Sequence, residues 1–211
     1  MTIPEEEPLP PAEDDDKQLH IPGSGTIGIL LLILSLTVLF IASIAAFLII
    51  RVQLLTNPEN AGKVTWPPPG SPPVPQSLWL STLVILATSV TIQLAYNAIK
   101  KDFEKKLLLF LRVTFSLGLL FLIMQSINWW EFYRAIPRGT QFSGPYLGGF
   151  FILTGLHAAH VLGGLIPLSI VTFRASRGRY SRNFHPGIRY VTFYWHFLDI
   201  IWLILFCVIY F

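Results

Sequence analysis

The sequence predicts an all-α polytopic membrane protein, a bundle of five transmembrane helices. Its 211 residues are 53% apolar and 13% charged, which leaves too little charge to cover an ordinary water-facing surface. Five apolar runs each reach the roughly 20 residues that a helix needs to cross a bilayer. The net charge is +3, and because the basic residues cluster beside these runs, we attribute it to membrane topology and expect no nucleic-acid partner.

The first 25 residues differ in composition from the rest. Seven carboxylates are interleaved there with Pro4, Pro8, Pro10 and Pro11, and the segment has too little apolar surface to drive folding. We therefore predict a disordered acidic cytoplasmic tail over 1–25, followed by one transmembrane domain over 26–211. The tail lacks the basic start of a secretory signal, so the first helix is expected to be retained.

The five helices are expected, in order, at the following apolar runs: Thr26–Ile50, Leu78–Ala98, Leu107–Trp130, Tyr146–Phe173 and Tyr190–Phe211. Arg112 falls inside the third run, about one turn from its basic end, where its side chain can reach the interface. The fourth run is long for a single crossing, which predicts tilt or extension past the hydrocarbon.

The basic residues also predict the orientation. They concentrate in the short connections Lys100–Lys106 and Arg174–Arg189, which should therefore be cytoplasmic and join antiparallel neighbours. This puts the N-terminus in the cytoplasm and Phe211 outside. The proline-rich connection Asn57–Gln76 is then external and, with its prolines and glycines, extended rather than helical.

Four polar residues stand at membrane depth in the last two runs: His157 and His160, then His196 and Asp199. Each pair is spaced i, i+3 and shares one helix face. Ionisable residues at such depth are costly and mark candidate sites. Counting about 1.5 Å of rise per residue brings His160 and Asp199 to similar heights, so we expect a polar seam between these helices with a His160–Asp199 hydrogen bond.

Metal or haem ligation is the competing interpretation of the same residues, since histidine is the commonest nitrogen ligand. Three histidines and one carboxylate could hold a single ion. No further carboxylate stands at membrane depth, however, so we predict no metal or cofactor site in this chain. The single cysteine, Cys207, excludes a disulfide within the chain and is expected to serve packing.

A stripe of small residues runs along the fourth helix. Gly155, Ala159 and Gly163 recur every four residues and favour close approach of another helix. We expect another helix to pack against it.

Several segments together resemble subunit III of the haem–copper terminal oxidases. They are WPPPGSP, SLWLSTLVILATSVTIQLA, PYLGGFFILTGLHAAHVLGG and FYWHFLDIIWLILF. The order and spacing are those of the family over Gly25 to Phe211, in its five-span form. The resemblance puts the family's helical histidines at His157 and His160, and its loop histidine at His185. Its last signature falls on Trp195, His196, Phe197, Asp199 and Trp202.

The resemblance implies a non-catalytic subunit that packs against oxidase subunits I and II and binds phospholipid. The haems and copper of such a complex lie in the partner subunits. Arg51 and Arg189 are our candidates for contacting a lipid headgroup.

The chain departs from the family pattern at three carboxylates. Ser35-Leu36 stands where the family has Ser-Glu, Asn128 replaces the first acid of a Glu-aromatic-aromatic-Glu pattern, and Arg189 replaces a glutamate. The losses argue against a proton relay that depends on those acids.

We therefore predict subunit III of a respiratory oxidase that transfers electrons from cytochrome c to oxygen and pumps protons. The membrane would be the bacterial inner membrane. Alternatives are a subunit-III-like accessory of a nitric oxide reductase or quinol oxidase and, from another class, a haem- or metal-binding membrane oxidoreductase.

Overall fold

Five helices account for nearly all of the computed structural model, which describes residues 24–56, 72–136, 144–182 and 184–210. They are α1 (Ser24–Thr56), α2 (Ser77–Lys100), α3 (Glu104–Arg134), α4 (Gly144–Ser176) and α5 (Pro186–Tyr210). All five are long and apolar enough to cross a membrane, which confirms the predicted fold class. Most of the acidic tail, most of the proline-rich connection and Phe211 lie outside the described residues.

The helices extend past the apolar runs that predicted them. α3, for example, begins at Glu104, takes in two lysines and ends at Arg134. An apolar run marks only the part of a helix at hydrocarbon depth, whereas backbone hydrogen bonding continues into the charged interface. α5 begins at Pro186, a residue suited to the first helical position because its missing N–H would have no partner there.

Helices α2 to α5 form a bundle, and α1 packs on its outside. α2 contacts α3 and α5, α4 also contacts α3 and α5, and α1 touches α4 and α5 alone. The pairs α2–α3 and α4–α5 are the neighbours that their short connections predicted. Because α1 meets two helices on one side, most of its apolar surface stays exposed.

Two similar turns close one end of the bundle, which we call the basic end because Lys100 and Arg174 lie beside the turns. Each ends its helix in a Schellman motif, with a left-handed residue: Asp102 at φ 56° after α2 and Gly178 at φ 66° after α4. Glycine and aspartate are among the residues that tolerate this conformation. The Arg182 backbone N–H donates to Asp102 Oδ1 at 3.1 Å, which joins the two turns.

The core of the bundle is aromatic where α3, α4 and α5 meet. Trp195, Trp202 and Phe121 are fully buried. Gly118 of α3 makes room for them, since a Cβ built there would lie 2.9 Å from Trp195 Cη2 and 3.0 Å from Leu165 Cδ2. At the opposite end, Trp79 of α2 packs edge-on against Phe206 and Tyr210 of α5.

The predicted small-residue stripe of α4 points largely away from the other described helices, so its packing against another helix stays a prediction. Ala159 and Gly163 are exposed, and a Cβ built on Gly163 would meet nothing within 4 Å. The close approach is one residue further on, at Gly164, where a Cβ would come within 2.7 Å of Tyr194 Cε1. The four-residue spacing identified a smooth face but not the direction in which it points.

Gly118→Ala should lower the free energy of unfolding of the chain in detergent by about 1–3 kcal/mol, because the added methyl overpacks the buried aromatic core. Gly163→Ala is the matched control, a helical glycine with open space around it, and should change stability by no more than about 1 kcal/mol. Reversible denaturation followed by tryptophan fluorescence measures both. Equal losses in the two variants would contradict the packing described.

Candidate functional site

The polar residues at membrane depth gather on α2 and α5. His196 of α5 lies between two α2 side chains: its Nδ1 is 2.7 Å from Ser89 Oγ, and its Nε2 is 3.0 Å from Gln93 Oε1. Gln93 Nε2 in turn donates to Asn97 Oδ1 at 3.2 Å. One hydrogen-bonded row therefore runs from Ser89 inside the bundle to exposed Asn97.

The row fixes the tautomer of the imidazole. Because the Gln93 amide nitrogen donates to Asn97, its oxygen must accept, and His196 Nε2 carries the proton that it accepts. Nδ1 is then free to accept from the Ser89 hydroxyl. In this arrangement both ring nitrogens have hydrogen-bond partners on α2.

Asp199 lies one turn further along α5 and is 3% exposed. Its Oδ1 accepts from the Thr88 hydroxyl of α2 at a long 3.5 Å, and Oδ2 has no hydrogen-bond partner among the described residues. The Thr88 hydroxyl has a single proton, and the Ile85 carbonyl at 2.6 Å is its nearer acceptor. The carboxyl group is thus buried with little compensation, which makes Asp199 the least satisfied acid at membrane depth in the described chain.

His157 has a different environment. Its ring is fully buried among aromatic rings, with centroids 4.9 Å from Trp202, 5.8 Å from Phe121 and 6.4 Å from Phe40. Neither ring nitrogen has a hydrogen-bond partner within the described residues. Three helices, α1, α3 and α5, supply the surrounding rings, so this histidine works as a central packing residue.

His160 lies one turn beyond His157 and bonds within its own helix. Its Nδ1 is 2.7 Å from the Leu156 carbonyl oxygen, and its ring packs on Phe40 at 5.3 Å. The predicted His160–Asp199 bond is not formed in the described structure. Instead, α4 and α5 are tied by the Tyr194 hydroxyl, which donates to the His160 carbonyl at 3.0 Å.

The four predicted residues therefore form two sets rather than one seam. His196 and Asp199 face α2, whereas His157 and His160 face α1 and the aromatic core. Similar depth was not enough to predict contact, because it leaves the rotation of each helix open. A functional role for any of the four stays a prediction.

The partners on α2 were missed by reasoning from single polar residues. Thr82 accepts from Trp202 Nε1 at 3.0 Å, and Ser81 accepts from Asn128 Nδ2 at 2.8 Å. Ser81 and Thr82 recur seven residues later as Thr88 and Ser89, a spacing that puts them on one helix face. That repeat could have identified α2 as the polar helix.

The remaining site predictions concern metals and lipid headgroups. Among the described residues, no three His, Cys, Asp or Glu side chains come together to hold a metal ion. Arg189 lies at the start of α5 with its guanidinium 5.6 Å from the Phe193 ring, and Arg51 lies near the end of α1. Cys207 is exposed, so the expectation that it serves packing is wrong: it projects from the outer face of α5.

Known proteins share this sequence pattern over nearly its full length. The sequence model of the family described as cytochrome c oxidase subunit III matches residues 18–211. "Probable cytochrome c oxidase subunit 3" of Rickettsia prowazekii is 36% identical over 191 residues, 87% of this chain and 67% of that protein. "Cytochrome c oxidase subunit 3" of Bos taurus is 33% identical over 185 residues, again 87% and 67%. The chain spans about two thirds of the length of these relatives.

A double-mutant cycle tests the geometry around His196. His196→Phe and Ser89→Ala should show a coupling energy of about 0.6–1.7 kcal/mol, the range found for side-chain hydrogen bonds between helices in membranes. His160→Phe and Asp199→Leu form the matched pair, and their effects should add within about 0.5 kcal/mol because the side chains do not touch. The free energy of unfolding of each variant in detergent gives the coupling energies of both pairs. Coupling in the second pair would indicate that His160 and Asp199 interact, which would contradict the described geometry.

Proposed function

The chain belongs to the cytochrome c oxidase subunit III family, and we propose that it is the non-catalytic third subunit of a respiratory haem–copper oxidase. In that complex electrons pass from cytochrome c to oxygen and protons are pumped, with the haems and copper held by partner subunits. The observation that carries the proposal is the family match over residues 18–211, which takes in all five helices. The names of the relatives favour cytochrome c over quinol as the donor.

The polar chemistry of the chain supports a structural role. Both ring nitrogens of His196 form hydrogen bonds to α2 side chains, and His157 lies within an aromatic core. Asn128 stands where the family pattern has a glutamate, and it donates to Ser81 to tie α3 to α2. These residues join helices to one another and leave the redox chemistry to the partners.

The exposed end of the His196 row supports a site for subunit contact. Gln93 is partly exposed and Asn97 exposed, although Gln93 precedes Lys100 by seven residues and so lies about 10 Å inside the basic end. Lipid tails offer no hydrogen bonds to an amide at that depth. We infer that a helix of subunit I or II covers this face and bonds to Asn97 and Gln93.

The outer surface of α1 supports the lipid-binding part of the proposal. A cavity of about 350 Å³ between α1 and α4 is lined by residues that include Phe47, Ile50 and Ile152. Its apolar walls suit acyl chains, and Arg51 follows Ile50 at the end where a headgroup would lie.

The multi-pass membrane location follows from the five helices. For the finer location we propose the bacterial inner membrane, with the basic end in the cytoplasm. Support comes from the bacterial relative in Rickettsia prowazekii and from the arginines and lysines at that end.

Purification through a tag on this chain tests the proposed function. The preparation should contain the haem-bearing subunits and consume oxygen with reduced cytochrome c, and removing this chain should leave the haem spectrum intact. Recovery of the chain without haem proteins, or a preparation that reduces nitric oxide and not oxygen, would reject the proposal.

Asn97→Leu tests the contact surface in the same preparation. The change should lower the amount of haem protein recovered with the chain several-fold, because the side chain can no longer form a hydrogen bond to the covering helix. Val38→Ala is the control, an outward-facing apolar residue of α1 that is 61% exposed, and it should leave recovery unchanged. Equal recovery with both variants would place the contact elsewhere.

A further inference from the structure

Two fully buried polar side chains at the centre of the bundle have no hydrogen-bond partner among the described residues. They are Gln125 of α3, with both its amide nitrogen and its amide oxygen, and His157 of α4, with both ring nitrogens. Buried polar groups are almost always paired with protein or with an ordered water, because leaving them unpaired costs free energy. Two such groups on neighbouring helices therefore suggest a shared partner.

The register of α3 against α4 can be read from two contacts. A Cβ built on Gly118 would lie 3.0 Å from Leu165 Cδ2, and Trp129 Nε1 donates to the Thr154 hydroxyl at 2.9 Å. From the first contact to the second, α3 advances by as many residues as α4 goes back. The antiparallel register is therefore the same throughout the stretch between them.

This register puts the two buried polar residues at one height. Gln125 comes seven residues after Gly118, and the residue seven before Leu165 is Ala158, which adjoins His157. One residue along a helix corresponds to a rise of about 1.5 Å. The amide and the imidazole thus belong to facing turns of neighbouring helices.

The contacts of Phe121 show that both side chains face the same part of the core. Phe121 lies one turn before Gln125 on the same face of α3. Its ring centroid is 5.8 Å from that of His157 and 5.0 Å from that of Trp202, and the last two are 4.9 Å apart. The amide therefore adjoins a group of three rings, of which the imidazole is the polar member.

We propose that Gln125 and His157 bind a water molecule between α3 and α4. The water accepts from one side chain and donates to the other, since a carboxamide and a neutral imidazole each have a donor and an acceptor. It can join polar atoms up to roughly 5.5 Å apart, which is two hydrogen-bond lengths. The proposal is independent of the proposed function, because it depends on the fold of this chain alone.

A water fits these residues better than a metal ion does. Within the described ranges, no group of three His, Cys, Asp or Glu side chains could hold a metal, whereas a buried water needs only two to four polar partners. The water also orients His157. Ring packing does not determine which imidazole nitrogen carries the proton, but a hydrogen bond at one of them does.

The test is magic-angle-spinning NMR of the full chain in phosphatidylcholine bilayers, with ¹⁵N-labelled histidine and magnetisation transferred from water protons. His157→Phe identifies the signals of this residue. The wild-type chain should show transfer from water to a His157 ring nitrogen, although the ring is fully buried. Gln125→Met keeps the length of the side chain but removes both hydrogen-bonding groups, and it should reduce this transfer several-fold.

Gln93→Met is the matched control. It removes the same groups beside His196, where Gln93 Oε1 lies 3.0 Å from the imidazole Nε2. The His196 signals should shift, and transfer from water to His157 should stay at its wild-type level.

Three outcomes would overturn the proposal. Absence of transfer to His157 in the wild-type chain would indicate a dry site. Equal transfer in the wild-type chain and in Gln125→Met would place the water elsewhere. A Gln125–His157 contact of hydrogen-bond length, measured in the wild-type chain with labelled glutamine, would indicate a direct bond that leaves no place for water. The first and third outcomes need no substitution, so the proposal stays testable if Gln125→Met does not fold.

Discussion

The architecture depends on one constraint: inside hydrocarbon, a polar group can find a hydrogen-bond partner only within protein. α2 supplies several of these partners. Its hydroxyls at Ser81 and Thr82 accept from Asn128 of α3 and Trp202 of α5, and Ser89 donates to His196. Because these bonds radiate from one helix to two neighbours, they set the rotation of α3 and α5 around α2, and the aromatic core forms between the helices so oriented.

The five helices and their neighbours could be predicted because apolar length and short connections decide them. The helix ends could not, since α3 runs on through Lys105 and Lys106 where the apolar run has stopped. His196 and Asp199 were found by their polarity. Their partners were not found, because a sequence gives depth and spacing but leaves the rotation of each helix to packing. The same limit explains Gly163, whose smooth face points outward while Gly164, beside it, meets Tyr194.

The outer surface has three regions that differ in polarity and charge. α1 offers an almost wholly apolar face that a bilayer satisfies without specificity. The Gln93 and Asn97 face offers hydrogen bonds, which favours protein over lipid tails as its neighbour, while the basic end carries the positive charge of Lys100 and Arg174. A subunit without redox centres can thus influence which neighbours surround it through the chemistry of each face.

Cys207 is the single cysteine of the chain and is exposed on α5, one residue from Phe206, whose ring packs on Trp79 of α2. A thiol-reactive fluorophore can therefore be attached to the native sequence without any substitution. An indole quenches many fluorophores at contact distance, so the emission of such a label would report how closely α2 and α5 stay together while the complex turns over. A residue that forms no contact in the core of the fold thereby becomes a native labelling site for motion between α2 and α5.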